Sequence, residues 1–369
     1  MTLLLLVPLA GLILLLALPS RWARGLALFT TAIHGLIALD HLRRFQPDAS
    51  QQGFAFLERQ PWIPSFGAQY LVGVDGYSLL LVVMTSLVTM VALIASSSIA
   101  ERLKEYYAAM LVLLVAMTGV FVALDLLLYF LFWELTLIPM YLIIAVWGGT
   151  NRAYASMKFL IYTNLGSVLM LIGILVLRLN GGTFDYFELL RHPGGEWVFW
   201  AFLAGFAVKV PMIPVHTWLP DAHTEAPTAG SVILAGVLLK MGLYGLTRFA
   251  IPLAPPSAHV LMWLSVASVV AILYGGLVCL MQSDWKRLIA YSSVSHMGFC
   301  TLGLFVMTRD GIVGSMLQQI NHAVTTGLLF LIVGAVYDRT HTSMTARTRA
   351  RSPTTVAPCA ACPAWRCCS

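Results

Sequence analysis

Three ionisable residues stand out because their neighbours are almost wholly apolar. Glu134 is the only acid in LLLYFLFWELTLIPMYLIIAVW. Lys209 sits in FLAGFAVKVPMIPVHTWLP, and Lys240 in SVILAGVLLKMGLYGLTRF. A charged side chain at the centre of a membrane-spanning helix costs about 2.5–3.5 kcal/mol on insertion scales. Residues kept at that cost are candidates for moving charge. Desolvation disfavours the charged form of a lysine and a nearby carboxylate favours it, so a lysine in a wet apolar bundle can be poised to gain and lose a proton. Together the three read as a proton path. The plainer reading of Glu134 is an ion pair that locks helices, a poor use of so large a burial cost. The plainer reading of the lysines is snorkelling to an interface, for which Lys240, near the middle of its apolar run, lies too deep.

Two histidines carry weaker signals. His296 (SVSHMG) and His322 (QQINHAVTTGLLF) have hydroxyl neighbours, among them Ser292, Ser293, Ser295, Thr325 and Thr326, that can hold water. His296 reads equally as a hydrogen-bonded core residue and as a relay. His322 is expected to be a relay. A further group, His216, Asp221, His223 and Glu225, falls in HTWLPDAHTEAPT. These are metal-ligand types, but without tight ligand spacing, so a structured loop or a site of proton uptake is expected in place of a metal. Of six cysteines, Cys279 and Cys300 read as inert helix residues. Cys359, Cys362, Cys367 and Cys368 crowd the tail, where their spacing admits zinc but fits a disordered tail better. No Gly-rich phosphate loop, haem-ligand pair or iron–sulfur cysteine set is visible, so no redox centre is expected within the chain.

The elements that must hold these residues follow from composition. The 369 residues are 59% hydrophobic and 10% charged, against about 25% charged in a typical soluble domain. That excludes a soluble fold. The net charge of +6 comes from bases scattered through short connections, with none of the basic stripes that nucleic-acid binding needs. A spanning helix takes about 20 mostly apolar residues. The pattern predicts an all-α polytopic bundle of eleven spans, at 2–19, 25–42, 76–98, 108–124, 127–147, 159–179, 197–219, 228–250, 258–281, 287–307 and 312–337. Residues 43–75 and 180–196 read as extramembrane loops. The first run lacks the basic start of a signal peptide. Pro211 and Pro214 follow Lys209 at once, and proline removes a backbone donor and crowds the preceding turn. A broken helix is therefore expected near Lys209–Pro214, a device tolerated at membrane depth where protein or water satisfies the freed carbonyls and used by transporters at ion sites. Counting Lys and Arg in short loops places the N-terminus outside, with a modest bias.

The composition changes near residue 343. Beyond it, SMTARTRARSPTTVAPCAACPAWRCCS has no apolar period. Residues 1–342 are expected to form one membrane domain, and residues 343–369 a disordered or frameshifted tail on a truncated chain.

The segments LFWELTLIPMYLII, VKVPMIPVHTWLPDAHTEAPTAGSVILAGVLLKMGLYGLTRF, SDWKRLIAYSSVSHMG and NHAVTTGLLFLIVGAVYDRTHT resemble the antiporter-like subunits of respiratory complex I (NADH:quinone oxidoreductase). The resemblance covers nearly all of residues 1–342. It implies that Glu134 and Lys209 form an interacting pair, that Lys240 is the central relay, and that His296 and His322 match positions on a water-filled path. L and N branches carry a lysine four residues after the histidine matching His322. Here that residue is Thr326, which favours the M branch over these and over Mrp-type antiporters. The family has fourteen spans in two inverted repeats, each with a broken helix, and the resemblance stops after the eleventh, leaving the second repeat incomplete. It implies proton translocation driven by NADH oxidation and quinone reduction elsewhere. NADH, flavin, iron–sulfur clusters and quinone are expected in partner subunits, with flanking antiporter-like subunits as neighbours in a bacterial cytoplasmic membrane. An Mrp-type cation/proton antiporter subunit and a truncated non-pumping scaffold are the alternatives.

Overall fold

Apolar runs without water partners must satisfy their backbone internally, which helices alone do within one segment. The computed structural model describes residues 1–340 and is built from such helices. The predicted tail, with its four cysteines, lies outside the described residues. In chain order come α1 (Thr2–Ala17) and α2 (Ala23–Arg44), a hairpin of β1 (Ala55–Ile63) and β2 (Ala68–Val74), then α3 (Gly76–Ala95), α4 (Leu103–Val122), α5 (Leu126–Leu135), α6 (Leu137–Trp147) and α7 (Arg152–Gly181). After these follow α8 (Tyr186–Leu189), α9 (Glu196–Lys209), α10 (Trp218–Glu225), α11 (Thr228–Ile233), α12 (Leu239–Gly245), α13 (Ile251–Leu253), α14 (Ala258–Leu280), α15 (Trp285–Phe305) and α16 (Arg309–Thr340).

Among the described residues, nine helical segments are long and apolar enough to cross a membrane, and α1 is a shorter apolar helix. The expected seventh span, 197–219, is not one helix. It stops at Lys209 and resumes at Trp218. Residues 43–75 are also more ordered than a loop: β1 and β2 pair antiparallel from Ala55↔Val74 to Ile63↔Ala68. Period-two alternation there is weak, and Pro61, which pairs with Gln69, argues against a strand when read alone.

α11, α12 and α13 are one continuous rod interrupted by two π-helical turns, Leu234–Leu238 and Leu246–Ala250. This rod is the centre of the bundle. Its apolar window is 100% buried, against 22% for the peripheral α14. Exposed Leu, Ile and Val side chains on α14 and α16, such as Leu273, Leu277, Val313 and Leu328, suit a lipid surface.

Candidate functional site

Two proline-made breaks face each other. Pro139 supplies no backbone donor and crowds the carbonyl one turn earlier, and the helix breaks at Thr136, between α5 and α6. The Thr136 hydroxyl donates to the Trp133 carbonyl at 2.8 Å, closing the break from within. On the other helix, α9 ends at Lys209 ahead of Pro211 and Pro214. The freed Val208 carbonyl accepts from the Trp218 indole at 2.9 Å, so a side chain from the resumed helix satisfies the break.

Lys209 sits between these breaks, 1% exposed. Its ammonium donates to Thr136 Oγ1 at 3.1 Å and lies 4.9 Å from the centroid of the Trp133 ring. Glu134, two residues before Thr136, makes no ion pair with Lys209 among the described residues. One Glu134 carboxylate oxygen is buried without a hydrogen-bond partner. Lys209 is thus held by Thr136, on the helix that carries Glu134.

Lys240 belongs to a second cluster. The first π-turn lies just before it, and its ammonium donates back to the Ala235 carbonyl in that turn. Such π-turns occur often at functional sites. Its other contact is His322 Nδ1, at 2.7 Å. Lys240 is 0% and His322 1% exposed. The His322 ring centre is 5.6 Å from that of His296, whose Nδ1 is 3.2 Å from Gln318 Nε2. His296 and Gln318 line an open groove of about 500 Å³ between α15 and α16, with Phe299, Gly303 and Ser315. Lys240, His322 and His296 therefore run from the bundle centre to its side.

The two clusters meet because a glycine permits it. A Cβ on Gly242 would stand 3.0 Å from the Phe206 carbonyl and 3.2 Å from Lys209 Cβ. Without one, the Lys240 rod lies directly against the Lys209 helix.

The His216–Glu225 group does not converge. Asp221 pairs with Lys158 at 2.7 Å and Arg287 at 2.8 Å, Glu225 accepts from the Asn151 amide at 2.9 Å, and His223 stacks on Phe330. His216 lies against Tyr274 and Tyr291. These contacts tie α7, α10, α15 and α16 together at one end of the bundle.

At the opposite end, Asp75 caps α3 and pairs with Arg248 of the second π-turn. Burial alone would weaken it as an acid and raise its pKa. Arg248 and the Ser78 hydrogen bonds outweigh that and hold the carboxyl below its usual range. Thr136, Trp133 and Gln319 were not marked by sequence reasoning. Thr136 could have been found as the residue three before Pro139, where a helix break frees a hydroxyl.

The chain is thus a multi-pass helical bundle with a broken helix at one buried lysine and a second buried lysine in a π-interrupted central rod. Residues 123–358 match the sequence family described as NADH:quinone oxidoreductase/Mrp antiporter, TM, and the chain belongs to that family. It is 46% identical to NADH-quinone oxidoreductase subunit M of Rhodobacter capsulatus over 88% of this chain and 66% of the relative. It is 42% identical to NADH-ubiquinone oxidoreductase chain 4 of Marchantia polymorpha, over 91% of this chain and 70% of that one. A chain in respiratory complex I from Thermus thermophilus with bound NADH superposes with a TM-score of 0.84 at 33% identity, over 94% of this chain and 73% of the other. The chain spans about two thirds of the length of the curated relatives it matches.

Proposed function

We propose that this chain is a proton-translocating membrane subunit of an NADH:quinone oxidoreductase. The observation that carries the reading is the pair of buried lysines, Lys209 held by Thr136 on the turn of half-buried Glu134, and Lys240 held by His322, from which His296 leads to the exposed side of the bundle. NADH oxidation and quinone reduction take place in partner subunits, which hold the flavin and iron–sulfur centres. The neighbours are other membrane-arm subunits, flanking antiporter-like ones above all, and the membrane is a bacterial cytoplasmic one.

The mechanism is electrostatic. A charge arriving near Glu134 changes the field at Lys209. Lys209 can then rotate from Thr136 towards the carboxylate or away from it, and Lys240, on the abutting rod, feels the change. Two unit charges about 10 Å apart interact by about 1.7 kcal/mol at an effective dielectric of about 20. Moving one proton against 100 mV takes about 2.3 kcal/mol. A rearrangement of one or two charges is thus of the right size to drive the proton on Lys240 off or on. Lys240 passes it to His322, which is in direct contact.

Glu134→Ala and Lys209→Ala, made in a complex carrying this chain as the only copy, are expected to abolish proton translocation and leave assembly intact. Fluorescence-dye quenching in inside-out vesicles driven by NADH reads the outcome. Unchanged translocation in both variants would overturn the assignment.

A further inference from the structure

A cation buried away from water needs good partners, and Lys209 has a single hydrogen bond among the described residues, to Thr136 Oγ1 at 3.1 Å. The other group beside its ammonium is the indole of Trp133, whose centroid lies 4.9 Å away. Trp133 is 1% exposed. Its ring is held in place by two others. Phe206 meets it edge to face at 5.4 Å between centroids, and Tyr129 lies at 5.9 Å. Phe206 stands about one turn before Lys209 on α9, and Tyr129 one turn before Trp133 on α5. The face offered to Lys209 is therefore fixed in direction. Trp133 also shapes the other half of this seat. Its carbonyl takes the Thr136 hydroxyl hydrogen at 2.8 Å, so the Thr136 oxygen turns its lone pairs to Lys209. Glu134 is the next residue along, and its side chain leaves the helix about 100° from the indole. Ring and carboxylate are thus two separate places for one ammonium, and the ring is the one occupied.

We propose that the Trp133 indole is the seat of the Lys209 cation, a positioning residue that holds the ammonium off Glu134 and sets how large a change of charge moves it. The face of an aromatic ring is negative, and tryptophan binds a cation best of the aromatic side chains. Out of water such a contact favours the seated ammonium by about thirtyfold. A hydroxyl oxygen is a neutral acceptor and attracts an ammonium less than a carboxylate does. Thr136 alone would lose Lys209 to Glu134. Hydroxyl and ring together keep the two positions close enough in free energy for an arriving charge to choose between them. The seat also reads charge, since the ring attracts an ammonium and not a neutral amine.

The inference rests on the proton-translocation reading, and its test separates the two. Replacing Trp133 site-specifically with mono-, di- and trifluorotryptophan keeps the shape of the ring and drains negative charge from its face in steps. A residue that only fills space would not respond to that series. Each variant is placed in an assembled complex carrying this chain as the only copy, with Lys209→Ala as the control. NADH-driven proton translocation is read in inside-out vesicles. The rate is expected to fall stepwise with fluorine number, to about a tenth of wild type or less at three fluorines, because Lys209 then rests on Glu134. Wild-type rates throughout the series, or rates that bear no relation to fluorine number, overturn the seat while leaving the functional reading in place. Wild-type translocation in Lys209→Ala overturns the functional reading itself.

Discussion

Lys209 and Lys240 are alike in type and depth but not in company. Lys209 is held by one neutral hydroxyl and an aromatic face, and Lys240 by a backbone carbonyl and an imidazole nitrogen. Only the second arrangement offers a group that can take a proton directly, which suits Lys240 as carrier and Lys209 as modulator. Thr136 then sets where the Lys209 charge rests. Thr136→Val keeps shape and removes the acceptor. It is expected to leave Lys209 free to close on Glu134 and to slow proton translocation by about ten- to a hundredfold, the effect of one hydrogen bond to a charged group at about 1.5–3 kcal/mol. NADH-driven translocation rates with assembly verified on native gels check this, and a rate equal to wild type would show that Thr136 does not hold the charge. Glu134, Lys209 and Lys240 were legible because a charge in an apolar run is visible in one dimension. Gln319 was not, because a glutamine among Gln318, Gln319 and Asn321 gains meaning only when Tyr77 is seen to reach it from a helix 242 residues away.

At the scale of elements, the breaks are set by proline and repaired by side chains. Pro211 and Pro214 were readable as a helix interruption, whereas the break ahead of Pro139 lay inside the single expected span 127–147. What satisfies the exposed carbonyls was not, since it depends on which group folds back. Trp218 fills that place for Val208. Trp218→Phe keeps most of the buried ring and removes the donor, leaving a buried carbonyl unpaired at about 1–3 kcal/mol. A fall in the thermal midpoint of the purified complex or its membrane arm, with NADH oxidation by the peripheral part unchanged, is the expected result. No change in the midpoint would show that the carbonyl finds another partner. The π-turns before Lys240 and around Arg248 could not be read from LAGVL and LTRFA, which are ordinary helical sequences. A Cβ on Gly245 would sit 2.3 Å from the Phe206 ring and 2.7 Å from the Tyr129 hydroxyl, so the rod is shaped by how closely α5 and α9 press on it.

Across the whole molecule, nine of the eleven expected spans are matched by helices long and apolar enough to cross a membrane among the described residues, because a bilayer imposes length and hydropathy on each one separately. The β1–β2 hairpin was hidden, since its residues are mixed in polarity and its pairing is broken by irregularities between Ala55 and Glu58 and between Pro61 and Ile63. The two ends of the bundle are tied differently: Lys158, Asp221 and Arg287 at one, Asp75 and Arg248 at the other. Between them, the fully buried Lys240 rod carries the one direct lysine–histidine contact among the described residues. The central claim is that this contact carries the translocated proton. The most direct test is the number of protons translocated per NADH oxidised in inside-out vesicles whose complex contains Lys240→Ala in this chain. The account predicts that the ratio falls, by the share this subunit contributes, while the complex stays assembled. A ratio equal to wild type in a fully assembled complex would contradict it.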